Sequence, residues 1–273
     1  MMDYMASEII DIDRMPRGGP DASWLDRRLE TDCQEYLDRD DVDDRIKRQV
    51  IGSLDFVGRV FGNHARFAEL ALEQVADVPD PKILELGAGH GGLSRELLGM
   101  HPTAEVTVTD VDATSLAEIA AADLGSHPRA AVREMDATAI EAADGYYDLA
   151  VFALSFHHLP PAPAAKVIAE GTRAANKLMI IDLPRPPSPL HVLRLALFLP
   201  FTVAVPFMHD GFISSLRAYS PSAMRALAAH AGPDIDVEFP KGRGPQVVVA
   251  SRTTATPDAS ASRRSDALGE PSG

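Results

Sequence analysis

The chain has 273 residues, of which 45% are hydrophobic and 24% charged, which excludes a disordered or fibrous protein and suits one generous α/β domain with appendages. Forty acidic against 26 basic residues leave a formal net charge of −14; such a chain does not attract phosphate backbones, so nucleic acid is not an expected partner. The single cysteine, Cys33, has no intramolecular disulfide partner, which fits a reducing, cytoplasmic setting.

In chain order, residues 1–20 form a polar lead containing Gly and Pro, expected to be flexible, with no basic-then-apolar signal segment. Residues 21–78 have helical texture. Val50, Leu54, Val57, Val60 and Phe61 recur at three- and four-residue steps, and Phe67, Leu70, Ala71 and Val75 repeat the pattern. This segment is expected to be helical. Over residues 79–252 short apolar runs alternate with helical stretches. Strands are expected at Lys82–Leu86, Glu105–Thr109, Ala131–Glu134, Tyr147–Ala153, Leu178–Asp182, Ile235–Phe239 and Gln246–Ser251, with helices starting near Gly91, Ala113, Ala162 and Pro221. That alternation predicts an α/β fold: a doubly wound, mostly parallel, seven-stranded Rossmann-like sheet.

Residues 184–219 interrupt the pattern as an insertion. Within it, Leu190–Phe207 is apolar but contains His191, Arg194, Pro200 and Pro206 and sits at the lower edge of spanning length. It reads as a buried or capping helix, without stable membrane insertion. Tyr219-Ser220-Pro221-Ser222 reads as a helix start with Ser220 as N-cap, and Arg217 before it as a solvated arginine. Residues 253–273, rich in Ser, Ala, Thr, Asp and Arg, read as a disordered tail.

The first strand runs into Gly87-Ala88-Gly89-His90-Gly91-Gly92. Glycines permit a tight strand-to-helix turn and close backbone approach to a ligand, at the strand ends where open α/β sheets bind ligands. Gly87, Gly89 and Gly92 also satisfy the dinucleotide pattern, and Asp110 could bond a ribose in either case. Glu85 separates the two readings. A buried carboxylate is costly without a partner; a cationic ligand would supply one, whereas a pyrophosphate would be repelled.

With these residues in place, Ile83–Gly91 resembles the first motif of the class I, Rossmann-like S-adenosylmethionine-dependent methyltransferases. Val108-Thr109-Asp110-Val111-Asp112 resembles the second motif, Met135-Asp136-Ala137 the third, and Tyr147–Leu154 followed by Ser155-Phe156-His157-His158-Leu159 the fourth strand and its loop. The likeness runs from about Pro81 to Ser251. It implies S-adenosylmethionine as cofactor. Glu85, Gly87, Ala88 and Gly89 would lie at the methionine portion, Asp110 and Val111 at the ribose, and Asp136 and Ala137 at the adenine. Ala153 would be a further cofactor-binding residue, and by the same likeness the N-terminal helical segment 21–78 would form a lid and the insertion 184–219 an acceptor pocket. More loosely, the chain resembles bacterial sugar O-methyltransferases of methylated polysaccharide synthesis.

Transfer to oxygen needs a base, and histidine suits that role near neutral pH; His158 is the first candidate and His157 the second. Asp182, His209 and Asp210, with a histidine of the fourth-strand loop, are candidate ligands for a divalent ion such as Mg2+. The expected acceptor is a small hydroxylated molecule, an oligosaccharide first and a quinol, phenol or polyketide second. A second copy of the chain is a further candidate partner. Two competing readings are a nicotinamide-dependent oxidoreductase and a catalytically silent S-adenosylmethionine-binding module.

Overall fold

The computed structural model describes residues 11–36, 62–202, 205–242 and 244–253, with isolated residues between 39 and 58. Much of the expected helix around Leu54, Val57, Val60 and Phe61, the first half of the expected lead and the expected tail beyond residue 253 lie outside the described residues.

After a short helix α1 (Trp24–Arg28) and helix α2 (Asn63–Glu73), strands and helices alternate: β1 (Lys82–Leu86), α3 (Gly92–Met100), β2 (Glu105–Asp110), α4 (Ala113–Ala121), β3 (Ala130–Glu134), β4 (Tyr147–Ala153), α5 (Pro161–Ala174) and β5 (Ala175–Asp182). Then come α6 (Ser188–Thr202), α7 (Pro206–Arg217), α8 (Pro221–Ala231), β6 (Ile235–Glu238) and β7 (Gln246–Arg252). The seven strands form one sheet in the order β3-β2-β1-β4-β5-β7-β6. Strands β1 to β5 are parallel, and β7 runs antiparallel to both β5 and β6. The dinucleotide-binding order 3-2-1-4-5-6 has no reversed strand between the fifth and sixth, so the sheet itself departs from that fold. Strand β5 starts at Ala175 rather than Leu178, because Ala175 and Lys177 pair with Tyr147 and Leu149 of β4; the polar Asn176 and Lys177 mask this first turn of strand in the sequence.

Both faces of the sheet are covered, which is why the central strands are apolar without alternation. Ile83, Val151 and Met179 pack with Phe67 of α2 and Leu93 and Leu97 of α3 on one face. Leu84, Phe152 and Leu178 pack with Val167 and Ile168 of α5 and Leu227 of α8 on the other. Ser220 caps α8 by accepting from the Ala223 amide at 3.1 Å. Since β1, β2, β4 and β5 are parallel, Leu86, Asp110, Ala153 and Asp182 end on one edge.

The Leu190–Phe207 segment is a cap rather than a buried helix. His191 and Leu195 are buried, but Leu193, Leu197, Phe198 and Leu199 of α6 are exposed. A helix apolar on all sides can turn only one side onto its neighbours. Among the described residues, no helix is long and apolar enough to cross a membrane.

Candidate active site

The β1–α3 turn is built by three glycines in the left-handed region, Gly87 at φ +63°, Gly89 at φ +55° and Gly91 at φ +70°, where a side chain would be strained. A Cβ on Gly87 would fall 2.8 Å from the Phe152 ring, whereas one on Gly89 would meet nothing within 4 Å. Gly87 is thus required by packing as well as conformation, and Gly89 leaves open space over the strand ends. Asp110 turns its carboxylate onto this loop: the Gly89 amide donates to Oδ2 at 2.8 Å and the Asp112 amide to Oδ1 at 3.0 Å. An ionised carboxylate has about four acceptor sites, so capacity remains for a vicinal diol. Asp112 is engaged elsewhere, capping α4 through the Thr114 and Ser115 amides.

Beside Asp110, Val111 is 70% exposed, a large apolar side chain placed where a flat base can cover it. Asp136 is exposed and accepts from the Thr138 amide at 2.8 Å. Ala137 and Ala153 are half-buried and Ala88 is buried, its amide donating to the Thr109 carbonyl at 2.9 Å. Glu85 is buried, and the protein supplies a partner of its own: the Ser94 hydroxyl donates to Oε2. Burial still dominates that hydrogen bond and pushes the carboxyl up to about 7. A cation nearby would shift it toward the ionised form.

At the end of β4 the backbone is strained, with Leu154 at φ +56°, a rare state for a bulky residue; its amide donates to the Ile181 carbonyl at 2.7 Å. The turn Phe156–His158 follows. His157 is buried, with Nδ1 2.7 Å from Asp182 Oδ1, its amide donating to Asp182 Oδ2 at 2.8 Å, and Nε2 3.3 Å from Glu35 Oε1. Burial alone would depress this histidine, but the charge and hydrogen bonds of Asp182 and Glu35 outweigh it and raise it to about 9. His157 is therefore an imidazolium between two carboxylates at neutral pH. The half-buried His158 has Nε2 3.9 Å from Glu35 Oε2. Burial would raise the Glu35 carboxyl, and the two histidines and Ser214 more than offset it, leaving it below its ordinary value.

Three consecutive carbonyls of this turn are pinned. Arg17 donates to that of His157 at 2.8 Å, Arg217 to that of His158 at 2.7 Å, and the Tyr219 hydroxyl to that of Leu159 at 2.7 Å. Arg217, expected to be solvated, instead holds the loop.

Glu35 was not legible in the sequence. No local motif marks it, and it reaches the site only because the N-terminal segment is clamped onto α7. The Tyr36 amide donates to Asp210 Oδ1 at 2.8 Å, Tyr36 stacks on His209 at 4.0 Å, and Ser214 donates to Glu35 at 2.6 Å. The structure places the expected metal residues in two different settings. Asp182 orients His157, while His209 and Asp210 hold the clamp. Among the described residues, the group whose atoms converge is Glu35, His157 and His158.

Beyond β5 lies a cavity of about 270 Å³, lined by Leu183, Leu195, Phe198, Phe207, Met208 and Phe212 among others. Arg194 and Ser215 are the polar side chains of its described lining.

Residues 83–177 match the family described as methyltransferase domain. No curated protein matches the chain. Among solved structures, the plantazolicin methyltransferase BpumL, in complex with a pentazolic desmethylPZN analog and SAH, is 12% identical at a TM-score of 0.60, covering 83% of this chain and 95% of that one. A possible exported protein from Bordetella parapertussis is 17% identical at a TM-score of 0.53, covering 71% and 68%. A putative O-methyltransferase from Nostoc punctiforme is 18% identical at a TM-score of 0.49, covering 68% of this chain; the match spans 56% of the Nostoc chain. The fold is thus one that solved methyltransferases share.

Proposed function

We propose that this chain, which carries a methyltransferase domain over residues 83–177, transfers the methyl group of S-adenosylmethionine to a hydroxyl of a small apolar acceptor such as a quinol, phenol or polyketide. One observation carries the reading: the Asp110-bound glycine loop and the apolar cavity lined by Leu183 and Pro184, which follow β5, both lie past the carboxyl ends of parallel strands of one sheet. The residues present fit the cofactor. Gly89 leaves the approach open, Asp110 retains acceptor capacity for the ribose hydroxyls, and Val111 and Asp136 flank an adenine position. Glu85 lies at the end of β1 for the cationic methionine end.

S-adenosylmethionine supplies a methyl carbon already activated by its sulfonium, so the protein must chiefly align the acceptor and exclude water. Phe198, Phe207 and Phe212 do this by holding an apolar body. A base must start neutral, so the raised, doubly paired His157 is a positioning residue. His158 is then the group that takes the hydroxyl proton. A sugar would find few polar partners in this cavity, which is why the oligosaccharide comes second.

The test is methyl-labelled S-adenosylmethionine with phenols, quinols and partially methylated oligosaccharides. Label in an apolar product is expected. Label in an oligosaccharide would overturn the acceptor class. S-adenosylhomocysteine binding without label in any acceptor would point to a silent binding module, and binding of NAD in its place would overturn the whole reading.

A further inference from the structure

We propose that Glu35, His157 and His158 form a site for one divalent transition-metal ion of the zinc class, with Asp182 holding His157 in its ligating orientation. The ligand atoms of the three residues lie within 4.8 Å of one another. An ion with bonds of about 2.0–2.1 Å in a tetrahedral arrangement places neighbouring ligand atoms about 3.4 Å apart. The observed separations are 3.3 Å between His157 Nε2 and Glu35 Oε1 and 3.9 Å between His158 Nε2 and Glu35 Oε2, so small side-chain adjustments close the set, the ion displacing the Nε2 proton of His157 to solvent. The two imidazole rings lie 4.3 Å apart at 33°, so the two rings approach the space beside Glu35 together.

The surroundings are those a metal site needs. A ligating histidine usually donates its other ring nitrogen to a carboxylate, and Asp182 Oδ1 stands 2.7 Å from His157 Nδ1. A ligating carboxylate is itself usually hydrogen-bonded, and Ser214 donates to Glu35 at 2.6 Å. His157 and Glu35 are buried, whereas His158 is half-buried, which leaves one side of the set toward solvent. Two imidazoles and one carboxylate favour zinc-class ions over Mg2+, which prefers an all-oxygen shell. The site itself does not rest on the proposed reaction, in which His158 of the metal-free chain is the base.

The experiment titrates Co2+ into the chelator-treated full chain and follows its visible absorption, then displaces it with Zn2+, with no acceptor or turnover involved. One equivalent of Co2+ with intense tetrahedral bands is expected. Glu35→Gln and His158→Ala should each weaken binding at least tenfold, and Asp182→Asn by about 10–100-fold. His230→Ala, an exposed histidine on α8, should leave it unchanged. Thermal melts accompany each variant; if Glu35→Gln does not fold, the half-exposed His158→Ala decides. Co2+ uptake that is absent, that exceeds one equivalent without tetrahedral bands, or that His158→Ala leaves unaltered would overturn the site and leave a metal-free ion-pair cluster. Tight one-equivalent binding without methyl transfer to phenols or quinols would support the site and count against the proposed reaction alone.

Discussion

Glu85→Gln keeps the shape of the side chain and removes its charge. Burial pushes this carboxyl from an ordinary 4.5 up to about 7 in the fold. An acid that holds its proton more tightly when folded loses folding stability as pH rises from its unfolded value through its folded one. The gap corresponds to ~3 kcal/mol at about 1.4 kcal/mol per pKa step, all of it borne above about pH 7. Glutamine avoids that burden but gives up part of the Ser94 hydrogen bond, ~1 kcal/mol. Urea unfolding of the cofactor-free chain should therefore show the variant about 2 kcal/mol more stable than wild type near pH 8. That advantage should vanish or reverse near pH 4, where both forms are neutral. On the proposed placement of Glu85 at the methionine end, the same variant should bind S-adenosylmethionine at least tenfold more weakly for want of that charge. An equal stability difference at the two pH values would refute the reasoning, since burial of the charged form would then not be what Glu85 costs.

Asp182→Asn removes a charge partner of a buried imidazolium, a loss of ~3–5 kcal/mol. The raised pKa of His157 means this stabilisation is complete below about 6.5 and fades as pH rises through about 9, so unfolding curves should show a larger loss near pH 6 than near pH 10. Asp110→Ala should weaken cofactor binding at least tenfold by calorimetry, and lower the melting temperature by a few degrees through loss of the Gly89 and Asp112 amide hydrogen bonds. Gly87→Ala should destabilise by about 2 kcal/mol or more in denaturant unfolding, combining a left-handed φ with overlap onto Phe152. Phe212→Ala should raise KM for an apolar acceptor several-fold with the affinity for S-adenosylhomocysteine unaltered; an unchanged KM would remove the cavity from the acceptor path.

The glycine-loop edge of the sheet was legible because its causes are local. Strand length follows from apolar runs such as Ile83–Leu86 and Tyr147–Ala153, and the turn from glycines at adjacent positions. The Asp110 register follows from where β2 ends, since the next acidic residue, Asp112, begins α4. These features depend on neighbours within a few residues, so sequence spacing carries them.

The histidine cluster has a different origin. His157 and His158 stand out in the sequence, yet what they do depends on Glu35, which lies more than a hundred residues away and arrives through Tyr36, His209, Asp210 and Ser214. Asp182, His209 and Asp210 have ligand chemistry, but only the packing of the N-terminal segment on α7 shows that the last two hold that segment in place. The sequence by itself determined the sheet, the glycine loop and the acidic residues at the carboxyl ends of β1 and β2, since periodicity and turn chemistry are short-range. Tertiary structure alone decided which carboxylates meet which imidazoles, because burial and charge pairing are set by contacts between segments that no spacing along the chain encodes.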